Sequence, residues 1–243
     1  MAEAAQGSTA GRPVESKRLD AFVDSAFAFA VSLLIIAGAE PLRSFDDLLA
    51  ALARIPAFAC AFALILLFWL AHRTWSSLSP ARDGRATALS LAVVFAVLVF
   101  VFPLRLLTDT ATHFLSGGLL PGRGLISSFA ELRWTYVIYG IGFSILSGLY
   151  VLLFRQAQRT MDPTDAGGSL AAHQWARTWM LSVATGLLSA TVACTSLLAS
   201  APWLPGVIYQ LIPLGIGLFA VRDRLRTMGR RDVAGSAPSN TGP

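Results

Sequence analysis

Charged residues are scarce in this chain, and their scarcity excludes an ordinary soluble protein. Only 14% of the 243 residues are Asp, Glu, Lys or Arg, whereas a soluble domain carries roughly 25%. Hydrophobic residues make up 55% of the chain, and the mean hydropathy is +0.62. This composition indicates a polytopic membrane protein, so we expect the lipid bilayer to be its main partner.

Cysteine and histidine are also rare, and their arrangement indicates no active site. Cys60 and Cys194 lie in separate apolar runs without a CxxC spacing, so we expect both to be small buried residues. The three histidines are far apart in the sequence, and P-loop, HExxH and GxSxG motifs are absent. We therefore expect no enzyme activity, no cofactor and no metal site.

The basic residues follow a pattern that membrane topology explains. The net charge is +5, and of the 19 basic residues only Lys17 is a lysine. Most basic residues lie in short loops between apolar runs or in the terminal segments, so we expect no nucleic-acid partner. Fourteen of them fall on one side of the predicted membrane spans and five on the other. The positive-inside rule then places both termini in the cytoplasm.

Six apolar runs are long enough to cross a bilayer, which needs about 20 residues for each helix. We predict an all-α protein with spans at 21–39, 55–71, 86–107, 134–154, 175–200 and 203–221. The last two are joined by a tight Pro/Gly turn at 201–206 and should form an antiparallel pair. The first run is too long for a cleavable signal peptide. We expect a disordered arm at 1–16, the membrane domain at 17–226 and a disordered tail at 227–243.

The first span has charged residues at its start and two sets of residues that each share one helix face. Arg18, Phe22, Ser25, Phe29, Leu33 and Ile36 repeat at steps of three and four, so they share one face, with Ser32 beside it. Asp20, Asp24, Phe27 and Val31 form a second stripe. A carboxylate inside a span is costly, so Asp24 should face protein and find a donor there. A structural polar cluster of Asp24 and Arg18 is the simplest reading of these charges. Lipid contact or helix packing would explain Phe29, Leu33 and Ile36 equally well.

Polar and aromatic side chains gather at the end of the second span. Trp69 and His72 are three residues apart and share a face, and His72 lies at the depth of Asp24, to which it could donate. An interfacial belt is the alternative reading of these residues. We read the other aromatic residues near span ends as belt residues: Trp75, Trp134, Tyr136, Trp175, Trp179 and Trp203. Just outside the first span, the acidic residues form either a cation-attracting vestibule or a solvated loop: Glu40, Asp46 and Asp47.

These residues resemble the bacterial transmembrane protein 175 family, potassium channels related to the lysosomal one. That family has an Arg, three residues, and then Phe-Ser-Asp-Gly before its first helix. This chain has Arg18 and then Phe22-Val23-Asp24-Ser25, so it departs at Val23 and Ser25. The family also has Trp-x-x-His at the end of its second helix, matched here by Trp69 and His72. Asp83 and the apolar helix that ends in Phe102-Pro103 also resemble the family, although Ser90 stands where Asn is common.

The resemblance implies a homotetramer of six-helix subunits in a bacterial inner membrane, with the first helices lining a central pore. It implies an apolar constriction at Phe29, Leu33 and Ile36, selectivity at Ser32, and potassium as the permeant ion. It also implies that Arg18, Asp24, Trp69 and His72 form a polar network that fixes the pore helix. Phe29 is larger than the Ile or Leu usual at its place, so four copies could occlude the pore. No TVGYG filter is present.

Two other functions compete with a potassium-permeable channel. A proton- or ion-coupled secondary transporter would use Asp24, Arg18 and His72 as a relay, but the sequence has no inverted repeat. A non-conducting membrane scaffold of the same fold would explain the large Phe29.

Overall fold

Long helices make up almost all of the described chain, as the sequence predicts. The computed structural model describes residues 11–39, 41–79, 83–122 and 126–222. Its helices are α1 (Gly11–Gly38), α2 (Phe45–Ala53), α3 (Ile55–Leu78), α4 (Gly84–Leu115), α5 (Phe129–Thr160), α6 (Ala166–Ala193), α7 (Leu197–Ser200) and α8 (Leu204–Val207). α8 continues through a 3-10 turn (Ile208–Gln210) into helical residues 211–222. We call the whole segment Leu204–Arg222 the C-terminal helix.

Side-chain caps fix where several of these helices begin. Ser128 accepts a hydrogen bond from the Glu131 backbone N–H, and the Glu131 carboxylate accepts from the Ser128 N–H, which starts α5. Asp83 caps α4 in the same way through the Ala86 N–H, at 2.7 Å. The α4–α5 connection turns through Gly117 and Gly118, whose φ angles of 64° and 88° strain any residue with a β-carbon.

Five helices of the described chain are long and apolar enough to cross a membrane, by length and composition. They are Ser16–Gly38 within α1, α3, α4, α5 and the C-terminal helix. The segment that we predicted as the fifth of six spans lies mostly in α6, which is 28 residues long but rich in Ala, Gly, Ser and Thr. That α6 crosses the bilayer remains a prediction. The five other candidate spans are enough to indicate a multi-pass protein.

α1 packs against α3 and α4, while α5 and α6 share the largest interface between any two of the described helices. Aromatic rings fill the space between α3, α4, α5 and α6. The ring of Tyr150 stacks on Trp179 at 4.7 Å, and Phe68 stacks on both. The Tyr150 hydroxyl donates to the Phe68 carbonyl at 2.6 Å. This aromatic core holds α3 in place, and α3 in turn supports α1.

The C-terminal helix runs antiparallel to α6, which confirms the predicted pairing. Ser189 donates to the Pro205 carbonyl at 2.8 Å. Farther along, Gly215 lies against Leu181, and the Arg177 guanidinium lies 3.9 Å from the ring centroid of Phe219. The contacting residues therefore have falling numbers along α6 and rising numbers along the C-terminal helix, as in an antiparallel pair.

Several sequence predictions about local structure are wrong. α1 begins at Gly11, so residues 11–16 are helical rather than disordered. Residues 1–10 and 227–243, the remainder of the predicted arm and the tail, lie outside the described residues. Trp75 and Trp179 are buried core residues and not belt residues, because their rings pack inside the bundle. Cys60 and Cys194 are exposed in the isolated chain and not buried.

Candidate functional site

One face of α1 belongs to the core of the bundle. Val23, Phe27, Ala30 and Leu34 repeat at steps of three and four and are buried against the neighbouring helices. Val23 stands where the resembled signature has Ser. It is completely buried here, so a branched apolar side chain fills that place. The packing of this face fixes the rotation of α1 about its axis.

The opposite face of α1 is left uncovered by its own chain. Phe22, Phe29 and Ile36 have 52%, 54% and 65% of their surface exposed, and Ser25 and Ser32 between them are exposed as well. Leu33 differs, because it is half-buried and packs against the core. The structure therefore places most of the predicted stripe on one open surface, with Leu33 at its edge.

The two hydroxyl groups of this surface bond to their own helix. Ser25 Oγ donates to the Ala21 carbonyl at 2.8 Å, and Ser32 Oγ donates to the Ala28 carbonyl at 3.3 Å. A serine oxygen that donates its proton inward keeps its lone pairs for an acceptor role. Ser32 can therefore offer an oxygen to a cation or a water molecule in front of the open face.

The second stripe of α1 faces α3, and its carboxylates find donors there. Trp69 donates its indole N–H to Asp24 Oδ1 at 2.8 Å, and Ser76 Oγ donates to Asp20 Oδ2 at 3.0 Å. Hydrogen bonds to a carboxylate are stronger than those between neutral groups. These two contacts attach the first half of α1 to the second half of α3, as we expected of a residue such as Asp24.

His72 and Arg18 do not take the predicted places in this network. His72 is buried and bonds through Nε2 to Ser90 Oγ of α4 at 3.1 Å, while its ring packs against Trp75. It therefore joins α3 to α4 and is not the donor to Asp24. The Arg18 side chain is exposed, and no described residue pairs with it. The expected Arg18–Asp24 cluster is thus replaced by an Asp24–Trp69 bond, because the buried stripe of α1 turns Asp24 toward α3.

The predicted acidic vestibule lies at the start of α2, a helix that we did not predict. Asp47 accepts backbone N–H bonds from Arg43 and Ser44, both at 2.8 Å. These bonds, that from Arg43 foremost, lower the pKa of Asp47, so its carboxylate stays charged as the N3 partner of the Ser44 cap. Asp46 is exposed in the same turn, and Glu40 lies outside the described residues.

Sequence reasoning missed a buried ion pair in α4. We counted Arg105 among the five basic residues on the second side of the predicted spans, yet it is 4% exposed and its Nη2 lies 3.3 Å from Oδ1 of Asp109, itself 1% exposed. The guanidinium also lies against Gly38, the last residue of α1. The spacing of four residues between opposite charges was the available signal, since it puts both on one helix face. Among the described residues, no group of three or more His, Cys, Asp or Glu is placed to hold a metal ion.

Comparison with known proteins agrees with the resemblance stated above. Residues 18–103 match the family model described as the endosomal/lysosomal potassium channel TMEM175. A protein of Marivirga tractuosa named as a potassium channel is 28% identical over 163 residues, which are 63% of this chain. That match spans 64% of the relative's own length.

Two solved structures share the fold. A variant of the potassium channel MtTMEM175, crystallised with a nanobody–MBP fusion, has a TM-score of 0.67 and is 22% identical; the match covers 87% of this chain and 93% of that one. A lysosomal potassium-selective channel TMEM175 homolog from Chamaesiphon Minutus has a TM-score of 0.58 and the same identity, with 86% and 98% covered. The resemblance and the all-helical fold class are thereby confirmed.

Proposed function

Because residues 18–103 carry a TMEM175 segment and the chain has the fold of TMEM175 channels, we propose that this protein is a potassium-permeable cation channel. The observation that carries the proposal is the open face of α1. Its apolar residues alternate with Ser25 and Ser32, while the opposite face of the same helix is locked into the core. A helix held at one rotation with a mixed apolar and hydroxyl face outward is suited to line a conduit.

The conduit forms when four chains close around an axis with the open faces of α1 inward. In this homotetramer, Phe29, Leu33 and Ile36 form apolar rings that gate the pore by dewetting. The half-buried Leu33 contributes the edge of its side chain, whereas more than half of the surface of Phe29 and Ile36 is exposed on this face. Ser32 lies between the rings and supplies an oxygen to a partly dehydrated potassium ion.

Two hydrogen bonds to α3 keep the pore helix at this rotation. Asp24 and Asp20 are bound by Trp69 and Ser76, so the inner half of α1 cannot turn without breaking charge-assisted bonds. His72 contributes indirectly, because its bond to Ser90 holds α3, the helix that contacts α1, against α4. Arg18 is exposed at the entrance and contributes its charge there.

The orientation of the channel follows from its charges. The excess of arginine at the ends of the chain and in alternate loops supports cytoplasmic termini in a bacterial inner membrane. The turn that begins α2 then lies on the outer side, and its exposed Asp46, repeated by symmetry, attracts cations to the mouth. Glu40 would add to the same field.

Recording purified protein in planar bilayers with asymmetric potassium and sodium tests the function. A channel gives unitary currents whose reversal potential moves toward the potassium equilibrium potential. A saturable flux coupled to a proton gradient, without unitary currents, would instead establish a transporter. If neither the natural protein nor the pore variants carry current or flux, the protein is a non-conducting membrane scaffold.

Replacing Ser32 by Ala tests the residue assigned to selectivity. We expect unitary currents to persist and the permeability ratio of potassium to sodium to fall several-fold, since about 1 kcal/mol of lost ion coordination is a factor of about five. Thr191→Ala on α6 is the matched control, because it removes a hydroxyl with the same bond to the carbonyl four residues earlier. An unchanged reversal potential in Ser32→Ala contradicts the assignment.

A further inference from the structure

The last turn of α1 rests against a buried guanidinium of α4. A β-carbon placed on Gly38 would lie 2.8 Å from both Nε and Nη2 of Arg105, closer than real side-chain carbons approach. Because Gly38 has no side chain, the Arg105 guanidinium can rest directly against the end of α1, and a β-carbon there would force the guanidinium to shift. Arg105 is itself held on the surface of α4 by Asp109, one turn later on the same face.

A charged pair in such surroundings is costly to keep. The side chains of Arg105 and Asp109 are almost completely buried, and both lie in a helix that is otherwise apolar enough to cross a bilayer. Removing two charges from water costs more than an apolar pair of the same size would, so their retention points to a task. Arginine differs from Leu or Met in presenting a rigid, planar and charged surface, which suits it to hold a neighbouring helix at a fixed distance.

A cavity lies beside this contact. It has a volume of about 380 Å³ and is bounded by Gly38 and Ile35 of α1, by Ala50 and Ala51 of α2, and by Arg105. The end of α1 therefore has space into which it can move when nothing holds it. Ile36 and Leu33 lie within the last two turns of the same helix, so any such movement changes the predicted constriction.

We propose that Arg105, held by Asp109, is a positioning residue that sets where the last two turns of α1 stand. It does so through the Gly38 contact, about four turns after the Asp24–Trp69 bond. The pore helix is thus held near its middle by an indole and at its last turn by a guanidinium. The inference rests on the proposed function in so far as α1 lines the pore, but the contact itself can be tested without any current.

The test uses size complementation, read out by hydrogen exchange of the full chain in lipid nanodiscs. Gly38→Ala should push the guanidinium aside and speed exchange of residues 33–39 by about fivefold, as expected for a helix end that opens more often. Helix propensity alone predicts the reverse, because Ala favours a helix by about 1 kcal/mol over Gly. Gly217→Ala is the matched control, since nothing lies within 4 Å of the added carbon in that apolar helix.

The double variant Arg105→Met with Asp109→Asn removes both charges without leaving one buried alone. It should also speed exchange of residues 33–39, while residues 20–27 in the middle of α1 stay unchanged. Adding Gly38→Ala to it should cause no further increase, because the flexible Met gives way to the new methyl group. Arg105→Lys, which keeps the charge but loses the planar group, should lie between the double variant and the natural protein.

Additive effects of the two changes, or slower exchange in Gly38→Ala as in Gly217→Ala, overturn the proposal. Unitary currents give the second measurement. If the natural protein conducts, Gly38→Ala should alter its unitary conductance at least twofold, whereas Gly217→Ala should not. If it does not conduct at any potential, the proposed function fails, and the exchange data still decide whether Arg105 positions α1.

Discussion

At the scale of single residues, the bond between Trp69 and Asp24 joins α1 to α3 through a donor that cannot lose its proton. An indole N–H is a donor only and keeps its proton over the whole accessible pH range, unlike a histidine ring. Because the donor cannot be lost by deprotonation, the attachment of α1 to α3 is suited to a fixed structural role. His72, one turn farther along α3, bonds instead to Ser90 of α4.

Replacing Trp69 by Phe should keep the ring and remove the donor. Asp24 would then lack its only hydrogen bond among the described residues, and a bond to a charged group contributes about 1.5–3 kcal/mol. Since Asp24 is exposed in the isolated chain, we expect the lower end of that range and a melting temperature lower by several degrees. Thermal unfolding followed by size-exclusion chromatography measures it. Trp134→Phe, at an exposed tryptophan, is the control and should change little.

The residue types of this network could be read from the sequence, but their pairing could not. Asp24 inside a span demanded a donor, and Trp69 was near enough in depth to supply one. Depth alone also allowed His72, because a sequence gives the order of residues along two helices and not their relative rotation. That rotation is decided by the buried face of α1, from Val23 to Leu34, and by the aromatic core behind α3.

At the scale of helices, the α5–α6 pair shows why one predicted span is less apolar than the rest. Gly140 and Gly186 lie opposite each other, and Ser144 donates to carbonyl groups on both helices, Gly140 at 2.7 Å and Val183 at 3.2 Å. Small and hydroxyl residues let two backbones approach closely, which is how helices associate when lipid removes the hydrophobic drive. The Ala, Gly and Ser content of α6 therefore reflects its partner and not exposure to water.

Gly140→Ala should weaken this pair. The new carbon would lie 2.7 Å from the Gly186 carbonyl oxygen, and a backbone atom cannot move aside as a side chain can. We expect a loss of about 1–3 kcal/mol in the free energy of unfolding, as for other overpacked cores. Gly148→Ala in the same helix meets nothing within 4 Å and should be neutral or slightly stabilising. Denaturant titration in mixed micelles compares the two, and equal effects would contradict the close approach.

Helix ends were predicted less well than helices, and the reason is physical. Hydropathy identifies only the part of a helix that lies in hydrocarbon, so it misses polar turns at the helix ends. α4 continues from the predicted end at Leu107 to Leu115, and α5 begins at Phe129 rather than at Trp134. The stretch 126–132 contains the capping box and first turn of α5. Arg105, which the predicted span 86–107 already contained, lies well inside α4 because the helix extends to Leu115.

At the scale of the whole molecule, the isolated chain leaves apolar surface uncovered in two kinds of place. One is the outer surface of the bundle, where lipid suffices. The other is the open face of α1, where Phe29 and Ile36 project beside Ser25 and Ser32. The sequence pattern of this face is equally compatible with lipid contact, with helix packing and with lining a pore, so the number of copies could not be read from it. The way in which the chains assemble distinguishes these three roles.

Cross-linking should place the open face at an interface between copies. With Cys60 and Cys194 changed to Ala, Ile36→Cys should form disulfide-linked dimers on mild oxidation in membranes, because symmetry brings equivalent residues together at the axis. Longer bifunctional thiol reagents should extend the products to trimers and tetramers. Leu187→Cys, an exposed residue of α6, is the control and should remain monomeric. Monomers alone from Ile36→Cys would place the open face against lipid.

Replacing Phe29 by Ala tests whether the four Phe29 side chains of the proposed tetramer close its pore. Four benzyl groups around an axis fill more space than the branched aliphatic residues usual at this position, and dewetting between them opposes ion entry. Since the Phe29 side chain is 54% exposed and supports no core packing, the variant should fold and assemble normally. We expect its open-state current to be several-fold higher than that of the natural protein, with Phe95→Ala, at an exposed residue of α4, as the control. Current that falls or stays the same in Phe29→Ala would show that the ring does not limit conduction, and the constriction would then have to lie at Leu33 and Ile36.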